Sequence, residues 1–125
     1  MTIAEAGEKY SLSTDTLRYY ERIGLIPPVN RTKGGKRDYT DTDCRWVEFI
    51  KCMRGAGLAV EVMIEYVSLF QKGDSTRNAR KAILIDQREK LAQRTAELQE
   101  TLNRLDVKIA RYDTALLEAE KNLFP

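Results

Sequence analysis

Between Ser75 and Phe124 the chain contains neither glycine nor proline, so nothing in that stretch breaks a helix. A helix of about 45 residues there would be roughly 65 to 70 Å long at about 1.5 Å per residue. Leu84, Arg88, Leu91, Thr95, Leu98, Leu102, Leu105, Ile109, Tyr112 and Leu116 follow one another in alternating steps of four and three. That spacing is a coiled-coil seam, with Arg88 and Thr95 interrupting its apolar character early on. A single helix leaves such a stripe in water, and the remaining chain is too short to shield its length. A second copy is the expected cover, so Leu91, Leu98, Leu102, Leu105, Ile109, Tyr112 and Leu116 are the candidate dimerisation residues of a homodimer.

The rest of the chain reads as a small helical domain. Charged residues make up 32% of the 125, and two of the only three prolines are adjacent at Pro27 and Pro28. No apolar run approaches the roughly 18 to 20 residues that cross a bilayer, and the start is too polar for a signal peptide, so no membrane partner and a cytoplasmic location are expected. Net charge is only +2, so attraction to a polyanion has to come from where the charges are placed.

Thr2 and Glu5 have the spacing of a capping box, which predicts a first helix over 3–9. Tyr10, Ser11 and Leu12 form a turn. Ser13 then caps a second helix whose inner side is Leu17, Tyr20 and Ile23, stopped by Gly24 and the proline pair. Residues 29–39, folded at Gly34 and Gly35, read as a short β-hairpin, because paired glycines accept the positive φ of a tight turn. Thr40 and Asp43 repeat the capping signature ahead of a helix with Trp46, Phe49, Ile50 and Met53 on one face, ending near Gly55 to Gly57. Met63, Tyr66, Val67 and Phe70 recur at helical spacing up to Gly73, although Ala59 starts that helix where Ser or Thr would cap it better.

From Lys9 to Arg37 there are seven basic residues (Lys9, Arg18, Arg22, Arg31, Lys33, Lys36 and Arg37) against Asp15 and Glu21. Four of them crowd into the hairpin, where they repel one another unless an anion is near. That is an electrostatic footprint for phosphate. For a basic helix alone, a solvated amphipathic surface would be the ordinary reading. The adjoining hairpin shifts that judgement toward nucleic acid.

The order helix, turn, helix, wing, with Thr16-Leu17-Arg18-Tyr19-Tyr20-Glu21-Arg22-Ile23-Gly24-Leu25-Ile26-Pro27-Pro28 followed by Arg37-Asp38-Tyr39-Thr40, resembles the MerR family of bacterial transcription regulators. The resemblance extends through a second helix pair into the long terminal helix. It implies that the helix after Ser13 is the recognition helix, with Thr14, Thr16 and Arg18 near base edges or phosphates and Tyr19 and Arg22 beside them. It also implies that Arg37 and Tyr39 are the wing's phosphate-contacting residues, to which the charge cluster adds Lys33 and Lys36 as candidate DNA contacts. Asp38 departs from the basic residue often found there, which lowers the local charge.

Cys44 and Cys52 are the only cysteines, and histidine is absent. Eight residues apart on one helix, they lie about 12 Å apart along its axis, beyond disulfide reach. A structural zinc site needs about four ligands, which one chain does not supply, and no metal or other cofactor is expected. Each cysteine alone reads as a small buried hydrophobe. Residues 49–58 and 65–74, however, resemble the NmlR/AdhR branch of the family, in which the cysteine matching Cys52 is linked to sensing aldehydes or other electrophiles. The neighbours of Cys52 leave its role open: Lys51 and Arg54 favour a thiolate, whereas Glu48 and the helix C-terminus oppose it.

The expected fold is therefore all-α with a small β-hairpin wing. A winged helix-turn-helix domain over 1–73 is joined to a long antiparallel coiled-coil dimerisation helix over 74–125. The expected function is sequence-specific binding of double-stranded promoter DNA at an inverted repeat. By resemblance, distortion of the promoter spacer would then act on RNA polymerase indirectly and activate stress-response genes. The alternative is a coiled-coil scaffold with an incidental basic domain. No catalytic residues are expected, since nothing assembles a nucleophile, a base and a cavity.

Overall fold

The computed structural model describes residues 1–112, 114 and 117–123. Among these residues the helices follow in the order α1 (Ile3–Tyr10), α2 (Thr14–Ile23), α3 (Asp41–Gly55), α4 (Val60–Gln71), α5 (Arg77–Arg111) and α6 (Leu117–Leu123), with a 3₁₀ turn at Asp74–Thr76 before α5. The chain divides into two compact units, residues 1–87 and 88–125.

Local chemistry accounts for most helix starts. Thr2 Oγ1 accepts the Glu5 N–H at 3.1 Å, and Glu5 accepts the Thr2 N–H at 3.1 Å. Thr40 and Asp43 repeat the reciprocal pair at α3, and Ser13 accepts the Thr16 N–H at 3.0 Å at α2. Each such cap contributes about 1 kcal/mol. Ala59 makes no side-chain cap at α4, which is held instead by burial of Met63 and Val67.

The core of the first unit is built from one face of each helix: Ala6 from α1, Leu17 and Tyr20 from α2, Cys44, Val47 and Ile50 from α3, and Met63 from α4. Leu25, Ile26, Val29, Tyr39 and Leu58 join from the connections. Full burial of a side chain such as Leu17 or Ile50 contributes about 1.5 to 3 kcal/mol. The turn between α1 and α2 is set by a close approach: a Cβ on Gly7 would lie 2.6 Å from the Leu12 carbonyl oxygen, which only glycine tolerates. The Leu12 N–H donates to the Gly7 carbonyl at 2.9 Å, closing that turn. This places the start of α2 against α1.

One expectation is corrected. The wing is not a β-hairpin: among the described residues there is no β-strand, only an isolated antiparallel bridge between Arg31 and Arg37. The turn is closed by Thr32 N–H to the Lys36 carbonyl at 2.7 Å and Gly35 N–H to the Thr32 carbonyl at 2.9 Å, with Gly35 at φ 81°. Before Arg31 the chain runs back into the proline pair, which cannot donate to a ladder, and apart from Thr32 the residues from Arg31 to Arg37 are charged or glycine rather than β-branched. The terminal segment is helical over α5 to Arg111 and again over α6 from Leu117 among the described residues.

In the second unit, Glu100 pairs with Arg104 at 2.8 Å and Gln99 donates to Asn103 at 2.9 Å, one turn apart on the polar side of α5. Leu98, Leu102, Leu105, Ile109 and Tyr112 keep between 49% and 69% of their surface exposed, whereas Leu91 is half-buried. The expected apolar stripe is thus uncovered in the single chain. Leu116, assigned to the same seam, lies outside the described residues.

Candidate nucleic-acid interface

Arg18 projects from α2, and Arg31, Lys36 and Arg37 from the turn that follows it. Together with Thr2, Ile3 and Gly35 they line a cleft of about 340 Å³. Four positive charges around one concavity raise the local concentration of anions. Each arginine is already oriented by the chain. Arg18 Nη1 reaches Asp15 Oδ1 at 3.0 Å and Thr14 Oγ1 at 3.3 Å. Arg31 Nη1 donates to the Gly35 carbonyl at 3.1 Å. Arg37 Nε donates to Glu21 Oε1 at 2.7 Å.

Glu21 joins α2 to this turn, because its Oε2 also accepts the Val29 N–H at 3.0 Å. Burial alone would push its carboxyl up. The hydrogen bonds from Arg37 and Val29 and the charges of Arg37 and Arg31 outweigh that and hold it below the usual carboxylate value. The sequence alone gives Glu21 no role at the site. Nothing local marks it, since Arg37 is sixteen residues away.

The remaining expected contacts are spread along α2 and the turn. Tyr19 and Arg22 are exposed, with the Arg22 guanidinium 5.5 Å from the Tyr19 ring centre. Thr14 and Thr16 lie in the first turn of α2, and the Thr16 hydroxyl shares a hydrogen bond with Ser13 at 2.8 Å. Lys33 is exposed at the tip of the turn. Tyr39 stands differently from an outward phosphate contact: it is 2% exposed, its ring belongs to the core, and its buried hydroxyl has no hydrogen-bond partner among the described residues. Its backbone anchors the turn, the N–H donating to the Met1 carbonyl at 2.8 Å. Asp38, which lowers the charge of the turn, accepts from the Met1 ammonium at 3.1 Å.

Residues 1–69 match the MerR HTH family regulatory protein family, and residues 44–107 match the MerR, DNA binding family. The chain belongs to the MerR family. It is 56% identical over 91 residues to the HTH-type transcriptional regulator AdhR of Bacillus subtilis, a match covering 73% of this chain and 65% of that protein. The crystal structure of a MerR family regulator from Listeria monocytogenes superposes with a TM-score of 0.90 at 48% identity, covering 98% of this chain and 93% of that one. HiNmlR, described as a MerR family regulator lacking the sensor domain and bound to promoter DNA, matches with a TM-score of 0.82 at 32% identity, over 93% of this chain and 92% of that one. These relatives place the chain in the NmlR/AdhR branch of DNA-binding transcriptional regulators, and they are regulators rather than enzymes.

The two cysteines of this MerR protein occupy contrasting settings. Cys44 is buried, its thiol directed at the Met1 sulfur 3.9 Å away. Cys52 is exposed, one helical turn past Phe49 on α3. The basic neighbours of Cys52 are both committed elsewhere: Lys51 Nζ hydrogen-bonds the Tyr10 carbonyl, and Arg54 Nη1 donates to the Leu58 carbonyl at 3.2 Å. Among the described residues no group of three or more potential metal ligands gathers. No helix among them is long and apolar enough to cross a membrane.

An aromatic cluster joins α3 to α4, which the helical spacing of Trp46, Phe49, Tyr66 and Phe70 implied only as separate apolar faces. Trp46 meets Phe70 edge-on at 4.9 Å, and Phe49 meets Tyr66 at 5.8 Å. With Thr42 and Arg45 these rings line an open groove of about 320 Å³.

Proposed function

We propose that this protein binds double-stranded promoter DNA as a homodimer on an inverted repeat, and that an electrophile acting on Cys52 switches it to activate stress-response genes. The observation that carries the DNA reading is the basic cleft between α1, α2 and the turn, lined by Arg18, Arg31, Lys36 and Arg37. In this reading α2 enters the major groove, bringing Thr14, Thr16 and Arg18 to base edges or phosphates. Tyr19, Arg22, Lys33, Lys36 and Arg37 hold flanking phosphates. Phosphate contacts fix register, and base contacts supply sequence discrimination. Tyr39 supports the turn from the core, where its hydroxyl is buried. The first domain spans 1–73 and the dimerisation segment 74–125.

The exposed stripe of Leu98, Leu102, Leu105, Ile109 and Tyr112 supports an antiparallel coiled coil with a second copy, extended by Leu91 and Leu116. A two-fold dimer presents two recognition helices and so reads a palindromic site. Bending and untwisting the promoter spacer costs several kcal/mol, which added phosphate contacts can offset, and RNA polymerase then responds to the reshaped DNA rather than to a direct contact. Exposure of Cys52, together with the branch to which the chain belongs, supports its role as receiver. Footprinting on the DNA just upstream of this protein's own gene tests the reading. A salt-sensitive, symmetric footprint is the expected result.

A further inference from the structure

We infer that Glu21 is the positioning residue for the phosphate-facing guanidinium of Arg37, and that through it the recognition helix and the wing turn dock on DNA as one rigid unit. This rests on the DNA-binding reading above and adds to it a residue whose charge is the wrong sign for a phosphate surface. Both Glu21 oxygens are in use, one on Arg37 Nε at 2.7 Å and the other on the Val29 N–H at 3.0 Å. The pair is largely withdrawn from water, the Arg37 and Glu21 side chains keeping 19% and 14% of their exposure. Because Glu21 meets Arg37 through one oxygen at Nε, the outer edge formed by the two Nη groups remains for a second, bidentate acceptor. Arg37 lines the basic cleft, so that acceptor is a backbone phosphate. The Val29 bond fixes where the chain leaves the core after the proline pair. The Arg37 bond fixes the far side of the turn, and one carboxylate on α2 therefore sets both.

Charge counting and positioning predict opposite results for Glu21→Gln. Removing a negative charge beside a phosphate site should tighten binding. The amide, however, places an NH₂ donor against one of two donors, Arg37 Nε or the Val29 N–H, so the guanidinium loses its orientation. The test measures binding of the full-length chain to a mixed-sequence duplex about three helical turns long, as a function of salt, with the active fraction fixed by stoichiometric titration. Glu21→Gln is expected to bind about tenfold more weakly, with a salt slope shallower by about 0.9 for each phosphate it no longer neutralises. In an Arg37→Ala background the same change should no longer weaken binding. Arg37→Lys keeps the charge without the planar fork, and is expected to lose as much affinity as Arg37→Ala.

Failure of the unsubstituted chain to bind the duplex in a salt-dependent way would overturn the DNA reading and this inference with it. If that chain binds but Glu21→Gln binds as well or better at an unchanged slope, only the positioning role falls. Equal weakening by Glu21→Gln with and without Arg37 would make Glu21 a fold-stabilising residue alone. Should Glu21→Gln not fold, wild-type affinity in Arg37→Lys overturns the inference by itself.

Discussion

Asp15 Oδ1 lies 3.0 Å from Arg18 Nη1, so the arginine expected to reach the major groove is held on its own helix by a carboxylate less than one turn away. Both side chains are exposed, and pairs of this kind contribute little to stability. Their interest is in binding, where DNA must draw Arg18 from Asp15. Arg18→Ala is expected to cost about 1 to 3 kcal/mol of operator affinity and to relax specificity, whereas Asp15→Asn should tighten binding at low salt. Gel shifts over a salt series measure both. Unchanged affinity in Arg18→Ala would remove α2 from the recognition role.

Dimerisation is expected to depend on the exposed stripe. Leu102 is 51% exposed in the single chain, so Leu102→Asp leaves the folded protomer intact but places an unpaired charge in an apolar interface. Sedimentation should show dissociation, and operator affinity should fall because one half-site offers only part of the contacts. A variant that still sediments as a dimer at low micromolar concentration places the interface elsewhere.

The two cysteines should separate cleanly in function. Cys52→Ala is expected to bind the operator yet fail to induce transcription after aldehyde exposure. Cys44→Ala should still induce and should lose about 1 to 2 kcal/mol of stability, because a buried thiol is replaced by a smaller group. Reporter assays and denaturant melts measure the two effects independently. Normal induction in Cys52→Ala would leave Cys52 a surface residue without a sensing role.

Alkaline pH should expose the cost of ionising buried phenols. Burial raises the Tyr20 and Tyr39 hydroxyls above the ordinary value of 10.0, with nearby Arg54 and Arg37 respectively acting in the opposite direction. The folded state therefore holds these protons more tightly than the unfolded chain does. Their contribution to stability is complete below about pH 10 and is lost as pH rises through the raised folded values. Phenolate absorbance from Tyr20 and Tyr39 should appear together with loss of helical circular dichroism. In Tyr39→Phe the alkaline transition should be weakened, and at neutral pH this variant should be at least as stable as wild type, because a buried hydroxyl without a partner is removed. Early, reversible ionisation of Tyr39 with the helices intact would contradict its burial.

Helix placement was legible in the sequence because its causes are local. The Thr2 and Glu5 box, the Ser13 cap and the Thr40 and Asp43 box all act within three residues, and the seam from Leu91 to Ile109 is a spacing along α5. So was the gathering of positive charge before Tyr39. Only the tertiary structure decided what became of the wing. Glu21 reaches Arg37 across sixteen residues and the Tyr39 N–H reaches the Met1 carbonyl across thirty-eight, while the arms of the turn share an isolated bridge in place of the β-hairpin that the glycine pair suggested. The burial of Tyr39 and the exposure of Cys52 were decided in the same way. A periodic pattern states which side of a helix is apolar, but whether a given side chain is covered depends on which other segments the fold brings over it.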